Sequence, residues 1–423
     1  MKRVSALLLT CTLGLSALSG CSASAAPQPL SAQPVTISEE EMMRYDLETP
    51  AVWSALSEFG LGLLKTARQE GKGTLLSPLS AALALSMAAN GADGETLDQF
   101  REVLGDGASL EALNVSCSAL MKLYGGLGGS TECSIANSLW TDPEGRMQED
   151  FVGRCSGIFD AQVFQEDLSA PVIVPALNSW VSDHTAGMIP QIIQRPFGED
   201  AAALMVNALY LKNTWAAKFD PSDTVTRDFT RADGAAEPLD FLQHFSRSLT
   251  YLQSGSDEGV LLPYDDGRLA FFALMPRQSS GVPDFERWLS SLTGEGLSAL
   301  LSGREETFFL RLSLPKFEQE WSGELKDALA ALGLTDAFDP DLADFSLLGD
   351  DPRGYYLSQV IHAARIEVNE EGTEAAAATV VAAASGAAPP QEGVTLIFDR
   401  PFLYGIVDLQ NGVPLFLGTF EGL

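Results

Sequence analysis

The stretch from Glu367 to Thr379 reads EVNEEGTEAAAAT, a charged segment with a glycine at position 372 that leads into a tract of small residues. The tract continues without a proline until Pro389. Side chains of a strand alternate between two faces, so every second residue of this tract would share one face. The residues on that face are small or β-branched: Thr373, Ala375, Ala377, Thr379, Val381 and Ala383. The segment therefore has the composition of an exposed loop that can also become a buried strand.

Composition alone leaves two other interpretations of the tract open. It suits an alanine-rich linker, and it suits a short exposed helix, because alanine is the best helix former. Four further segments bear on the choice. In chain order they are SPLS (77–80) before AANGA (88–92), NALYLK (207–212) before Trp215 and Phe219, LPKF (314–317) before LGL (332–334) and AF (337–338), and RPFL (400–403) before PLFLG (414–418).

The five segments together resemble the serpins, a family of protease inhibitors, and they extend over about residues 41–423. The resemblance implies an α+β fold, with helices packed on a large central β-sheet and an exposed reactive-centre loop at about residues 370–392. It also implies inhibition of a serine protease by a suicide substrate: the protease cleaves the loop, which inserts into the sheet as a new strand and traps the acyl-enzyme. A non-inhibitory serpin-fold binding protein is the alternative. The resemblance implies no cofactor, no metal and no catalytic residue.

The resemblance also assigns roles to individual residues. Glu370 and seven residues after it match the hinge of the loop: Gly372, Thr373, Glu374, Ala375, Ala376, Ala377 and Ala378. Six positions match the family's shutter, beneath the sheet, and its breach, where insertion begins: Ser77, Ser80, Asn207, Trp215, Lys316 and His362. Taken singly, Ser77, Ser80, Asn207 and His362 are better explained as helix caps or satisfied core polar groups, and Trp215 is equally an ordinary core aromatic. Lys316 and Glu370 are expected to meet at the top of the sheet, in a pair that contributes only ~0–1 kcal/mol if it is exposed.

The scissile bond is bracketed by two ways of counting. Family spacing forward from the hinge glycine places it near residues 385–387, and spacing back from Pro401 places it near Pro389. We expect the cut within four residues: Ala384, Ser385, Gly386 and Ala387. Residues 382–388 offer only Ala, Ser and Gly, which suit a shallow specificity pocket and predict elastase-like or subtilisin-like targets. A loop that many proteases cleave without being trapped is the alternative.

The N-terminus predicts export and lipidation. Lys2 and Arg3 precede an apolar run at residues 4–18 that is too short for a membrane span. The run leads into LSGC (18–21), which resembles a bacterial lipobox whose cysteine, here Cys21, is lipidated; ordinary cleavage after residues 23–25 is the alternative. We expect a signal peptide at residues 1–20, a flexible tether at 21–40 and a single serpin domain at 41–423, lipid-anchored at the extracellular face of a bacterial cell.

Composition disfavours several other functions. The net charge of −31 opposes binding to nucleic acid and attraction to anionic lipid, because both depend on Lys and Arg. The three histidines form no metal-binding motif and no Gly-x-Ser-x-Gly elbow is present, so an enzyme has little support. Three cysteines outside the signal, Cys117, Cys133 and Cys155, allow at most one disulfide. We expect a monomer whose partner is a serine protease.

Hydrophobic periodicity predicts the elements that carry these residues. Apolar residues at helical spacing predict helices at residues 54–65, 80–89, 149–157, 176–185 and 322–332. Apolar runs and alternation predict strands at residues 201–211, 261–264, 269–275, 307–314, 394–398, 402–408 and 414–420. Most of the predicted helices precede the predicted strands in the sequence. This order favours an α+β fold over a regular alternation of strands and helices.

Overall fold

A computed structural model of the chain describes residues 27–45, 48–246, 249–277, 285–303, 309–352, 354–373 and 393–423. The helices in these ranges are α1 (Glu39–Tyr45), α2 (Thr49–Ala67), α3 (Pro78–Ala89), α4 (Gly94–Gly105), α5 (Leu110–Tyr124), α6 (Glu149–Ile158), α7 (Ile173–His184), α8 (Phe285–Ser291), α9 (Gly294–Ser302) and α10 (Lys326–Ala331). None of these helices is long and apolar enough to cross a membrane.

The strands fall throughout the same ranges. They are β1 (Thr74–Leu76), β2 (Glu132–Thr141), β3 (Arg146–Met147), β4 (Gln162–Gln165), β5 (Ala203–Thr214), β6 (Val225–Thr230), β7 (Ala236–Ser246), β8 (Thr250–Ser254), β9 (Asp257–Pro263), β10 (Leu269–Pro276), β11 (Phe309–Pro315), β12 (Phe317–Glu324), β13 (Gly349–Asp350), β14 (Leu357–Val368), β15 (Gly372–Thr373), β16 (Gly393–Ile397), β17 (Phe402–Asp408) and β18 (Pro414–Phe420).

Three sheets organise the strands. The central sheet has the order β12-β14-β15-β5-β2-β4, and β14 also pairs directly with β5. The rear sheet has the order β1-β18-β17-β10-β9-β8, and the third sheet has the order β16-β11-β7-β6. Helix α3 packs against both β5 and β18, so it lies between the central and rear sheets. The predicted α+β fold with a large central sheet is confirmed.

The burial of α3 and β5 follows from their sequences. All residues of α3 (PLSAALALSMAA) are buried, because the helix is apolar or small on every side and has a sheet on two of them. Strand β5 is buried on both faces, as its continuous apolar run predicts. Met205 and Leu209 join the main core with α3, while Leu204 and Val206 join a second core cluster beneath α7.

The helix predicted at residues 322–332 is wrong in its first part. Residues up to Glu324 belong to β12, which pairs antiparallel with β14 so that Trp321 lies opposite Ala364. Only α10, Lys326–Ala331, is helical. An available sheet edge outweighed the local helical spacing, because tertiary pairing overrides weak propensity.

The flexible tether predicted at residues 21–40 is wrong for the part that the structure describes. Leu30 N donates to the Val163 carbonyl at 2.7 Å, and Val35 N donates to the Gly153 carbonyl at 2.8 Å, so residues 27–38 lie against β4 and α6. The contact with α6 depends on glycine, because a Cβ at Gly157 would lie 2.1 Å from the Val35 carbonyl oxygen. Helix α1 follows at Glu39.

Candidate functional site

Four buried polar residues that the sequence singles out lie together beneath the central sheet. Ser77 caps α3: its Oγ accepts from Ser80 N at 3.2 Å and donates to the Leu415 carbonyl at 2.7 Å. The backbone N–H of Ser77 donates to His362 Nε2 at 3.0 Å. Ser80 Oγ donates to Asn207 Oδ1. This shutter cluster (Ser77, Ser80, Asn207 and His362) therefore ties α3 to the two strands β5 and β14.

A further member of this polar group, Asn137 on β2, was not predicted. Asn207 Nδ2 donates to Asn137 Oδ1 at 2.6 Å, and Asn137 Nδ2 donates to the Phe159 carbonyl at 3.4 Å. Asn137 lies directly opposite Asn207, and Asn207 lies directly opposite His362. The polar row thus crosses three adjacent strands. The available signal was an asparagine inside an apolar stretch, residues 135–140.

His362 is held neutral at the centre of this row. Its Nε2 accepts a backbone N–H, so the neutral ring carries its proton on Nδ1. Nδ1 is buried and has no hydrogen-bond partner among the described residues. Burial lowers the pKa of His362 to about 4, because a charged ring would lose its solvation. The closed sheet therefore contains an unused hydrogen-bond donor.

The chain reverses between β14 and β15 in a turn built around Asn369. Its Oδ1 accepts from Glu371 N at 2.9 Å and from Gly372 N at 3.3 Å. Its own N–H donates to the Gly372 carbonyl at 3.1 Å. Asparagine favours turns because its side chain can bond the backbone two residues further on. The turn directs the chain back into the central sheet.

Strand β15 is the start of a new strand between β14 and β5. Gly372 pairs with Thr214 and Thr373 with Asn213 on β5, and Thr373 also pairs with Val368 on β14. A Cβ at position 372 would lie 2.0 Å from the Asn213 carbonyl oxygen, so glycine is required by the close approach. Thr373 is only 2% exposed. The prediction of an exposed loop from about residue 370 is therefore wrong for these two residues, which lie in the sheet before any cleavage.

Trp215 stands at the entrance to this gap. Its indole stacks on Tyr264 with ring centroids 4.8 Å apart, and its Nε1 donates to the Asn369 carbonyl at 2.8 Å. Its backbone N–H donates to the Glu371 carbonyl at 3.0 Å. The Tyr264 hydroxyl hydrogen-bonds Thr373 Oγ1, and burial raises the pKa of that phenol. The aromatic pair thus contacts both the turn and the first inserted side chain.

Two ion pairs hold the acidic residues of the turn. Lys316 Nζ lies 2.9 Å from Glu370 Oε2, and Thr224 Oγ1 donates to Glu370 Oε1 at 3.0 Å. Burial would raise the pKa of Glu370, but these hydrogen bonds outweigh it and the pKa lies below its usual value. Glu371 pairs with Lys218, which sequence reasoning missed. The side chains of Lys316 and Lys218 are 43% and 50% exposed, so each pair contributes only ~0–1 kcal/mol.

The other predicted site residues lie outside the described residues. They are Glu374, Ala375, Ala376, Ala377 and Ala378 of the hinge, Ala384, Ser385, Gly386 and Ala387 of the scissile region, and the lipidation residue Cys21.

The three cysteines that follow the predicted signal lie among the described residues. Cys117, Cys133 and Cys155 are free thiols. Burial raises the pKa of Cys117 and Cys133 to about 12 and also raises that of Cys155, so none is a reactive thiolate. No group of three or more His, Cys, Asp or Glu side chains within the described ranges is placed to hold a metal.

Comparison with known proteins places this geometry in a family. A family model described as "Serpin (serine protease inhibitor)" matches residues 54–422. Serpin-ZXA of Oryza sativa subsp. japonica is 33% identical over 362 residues, which cover 82% of this chain and 89% of the relative. The native state of the thermophilic serpin tengpin is 30% identical, with a TM-score of 0.81 over 94% of this chain and 97% of that chain. Its latent state gives 0.74 at 29% identity over 92% and 100%. The predicted serpin fold is confirmed.

Proposed function

Because the chain belongs to the serpin family, whose members are typically protease inhibitors and not enzymes, we propose that it inhibits serine proteases as a suicide substrate. A protease cleaves the segment between Thr373 and Gly393 and forms an acyl-enzyme. The segment then inserts between β14 and β5 and carries the protease along before the acyl-enzyme hydrolyses. The observation that supports this most is β15, since a strand has already begun in the gap.

The ladder that would open is parallel, unlike the other described pairings of β14 and β5. Strands β14 and β5 pair in parallel over six residue pairs, from Leu357 opposite Ala203 to Ala363 opposite Ala208. Their outer neighbours, β12 and β2, pair with them antiparallel. An inserted strand would run antiparallel to both β14 and β5, and parallel pairing is slightly less stable per residue. Insertion therefore exchanges one short parallel ladder for two longer antiparallel ladders.

The pairing of β15 sets the register of the rest of the inserted strand. Continued along β5 from the Thr373–Asn213 pair, the register brings Thr379 opposite Asn207. Continued along β14 from the Thr373–Val368 pair, it brings Thr379 opposite His362. His362 and Asn207 already lie opposite each other in the closed sheet, so the two registers agree.

The side chains of the tract suit this register. Directly opposite residues share a face, so the Thr379 hydroxyl would enter the shutter cluster beside the unused Nδ1–H of His362. The other positions on that face would come opposite buried residues of the main core: Leu211, Leu209, Met205 and Ala203. The tract offers only alanine and valine there, at 375, 377, 381 and 383, and no charge. The slot would accept them without burying a polar group.

The class of target protease and the location of the protein are proposed from the sequence alone. Small residues at Ala384–Ala387 favour elastase-like or subtilisin-like proteases, whose shallow pockets would hold alanine. The LSGC stretch at residues 18–21 supports export and lipidation on Cys21, which would hold a monomeric inhibitor at the surface of a bacterial cell.

A protease panel tests the proposal. The purified protein is incubated with pancreatic elastase, subtilisin, trypsin and chymotrypsin, and a covalent complex that survives SDS is expected with elastase or subtilisin. Mass spectrometry of the released C-terminal peptide should place its first residue at 385–388. Cleavage of the loop by every protease without any complex would favour the non-inhibitory alternative. Trapping of trypsin alone would contradict the target class and leave the mechanism standing.

A further inference from the structure

An aromatic side chain is exposed on the third sheet. Phe245 on β7 is 46% exposed, and it is the one aromatic residue among the strongly exposed large hydrophobic residues of the described ranges. It lies opposite Arg311 on β11, whose guanidinium carbon is 5.2 Å from the centre of the phenyl ring. The ring of Phe309, on the same face of β11, lies 4.7 Å from that of Phe245. We call these three residues the aromatic patch.

The chemistry of the aromatic patch is that of a protein interface. Aromatic residues and arginine are enriched in interfaces and carry much of their binding energy. Arg311 is exposed and lies over the Phe245 ring, in a chain with a net charge of −31. An exposed cation beside an exposed ring suits a partner that presents an apolar side chain next to a carboxylate.

The aromatic patch lies next to β16, the first described strand after the segment that holds the scissile region. Gly393, the first described residue after position 373, pairs with Phe309 at the start of β16. Neighbouring strands lie about 4.8 Å apart, so Gly393 lies about one strand spacing from Phe309 of the patch. A cut at 384–387 lies at most about 20–30 Å of extended chain from Gly393. A protease of about 230 residues has a radius of gyration of about 17 Å, so its body is large enough to reach the patch.

We propose that the aromatic patch is a secondary docking surface for the target protease. This docking role rests on the proposed function and adds to it. The loop supplies the bond to be cut, and the patch holds the protease over the third sheet in the complex that precedes cleavage. The patch lies outside the gap between β14 and β5, so it affects the rate of association and not the fate of the acyl-enzyme.

Association kinetics test the proposal. Second-order rate constants for inhibition of elastase and subtilisin are measured for the wild type and for Phe245→Ser, Arg311→Ala and Leu342→Ser. Leu342 is the matched control, because it is 60% exposed and lies in the segment that contacts α4. Phe245→Ser should lower the rate about tenfold with an unchanged stoichiometry of inhibition. Arg311→Ala should lower it less, and its effect should vanish at about 1 M salt. Leu342→Ser should match the wild type.

Two outcomes would overturn the docking surface without touching the proposed function. One is equal rates for the wild type and both patch variants, and the other is an equal loss in Leu342→Ser. A protease whose catalytic serine is replaced by alanine keeps the test independent of trapping, because its equilibrium binding should weaken in Phe245→Ser and Arg311→Ala. If the wild type traps no protease and the inactive protease binds all variants alike, both proposals fail. Unchanged melting temperatures show that the variants remain folded.

Discussion

Ala377→Glu tests the register of the proposed insertion. In that register Ala377 comes opposite Leu209 on β5 and Ala364 on β14, which are both buried in the main core. Its neighbour Ala376 comes opposite Tyr210 on β5 and Arg365 on β14, on the other face of the sheet, where the arginine side chain is 28% exposed and pairs with Glu318. Ala376→Glu is therefore the matched control: the same substitution one residue away, on a face that offers a cation.

The size of the effect follows from the ionisation of the new side chain. Protonating a glutamic acid with a pKa of about 4.3 at about pH 7.5 costs about 4 kcal/mol, and burying an unpaired carboxylate costs more. If half of this free energy cost is already present in the transition state of insertion, insertion slows about 30-fold. The acyl-enzyme then hydrolyses first, and the moles of inhibitor consumed per mole of protease rise from about one to tens. Lowering the pH towards about 5 should restore part of the inhibition, because protonation then costs less.

The assay is a titration of residual elastase activity against each inhibitor, with SDS gels to separate covalent complex from cleaved inhibitor. Ala377→Glu is expected to behave as a substrate, and Ala376→Glu is expected to keep a stoichiometry close to that of the wild type. The register is refuted if Ala377→Glu traps protease as efficiently as the wild type, or if the two variants are impaired equally. A reversed order would mean that insertion is shifted by one residue.

Three further predictions concern stability. Cleavage within residues 383–388 should raise the midpoint of thermal unfolding, because residues 374–383 join the sheet; an unchanged midpoint in a calorimetric scan would favour a non-inhibitory protein. His362 has a folded pKa of about 4, below its ordinary value, so the unfolded state binds more protons between about pH 6.5 and 4 and stability falls as pH drops through this window. That loss is about 3 kcal/mol, and His362→Gln should flatten the corresponding part of the melting profile; identical profiles would contradict the burial of a neutral ring. Lys316→Gln removes the pair with Glu370 and should cost at most about 1 kcal/mol of stability while increasing hydrolysis of the loop, whereas Lys316→Arg should retain both properties. Unchanged melting and stoichiometry in Lys316→Gln would show that the pair does not hold the hinge.

The sequence predicted the parts of the site that have local signatures. The helical spacing of apolar residues at 80–89 predicted most of α3, and the apolar run at 201–211 predicted a strand buried on both faces, which is β5. It could not predict contacts that depend on distant partners. Asn137 meets Asn207 across 70 positions, and Tyr264 meets Thr373 across 109. The strand at Phe317–Glu324 depends on the edge of β14, which no local period encodes.

The residue pairs between β14 and β5 show at which residue the proposed insertion must first break existing strand pairing. The direct pairs between β14 and β5 end at Ala363 opposite Ala208, so residues 374–377 would come opposite positions that are not paired across the gap. The first residue that must break the closed ladder is Ala378, in register with the Ala363–Ala208 pair. Thr379 follows at the shutter cluster. The ion pairs and aromatic rings of the breach therefore control how the strand starts, whereas the six parallel pairs and the shutter cluster control whether it continues. The start of the hinge already lies in the sheet of the uncleaved protein. The remaining barrier to full insertion is therefore the direct pairing between β14 and β5.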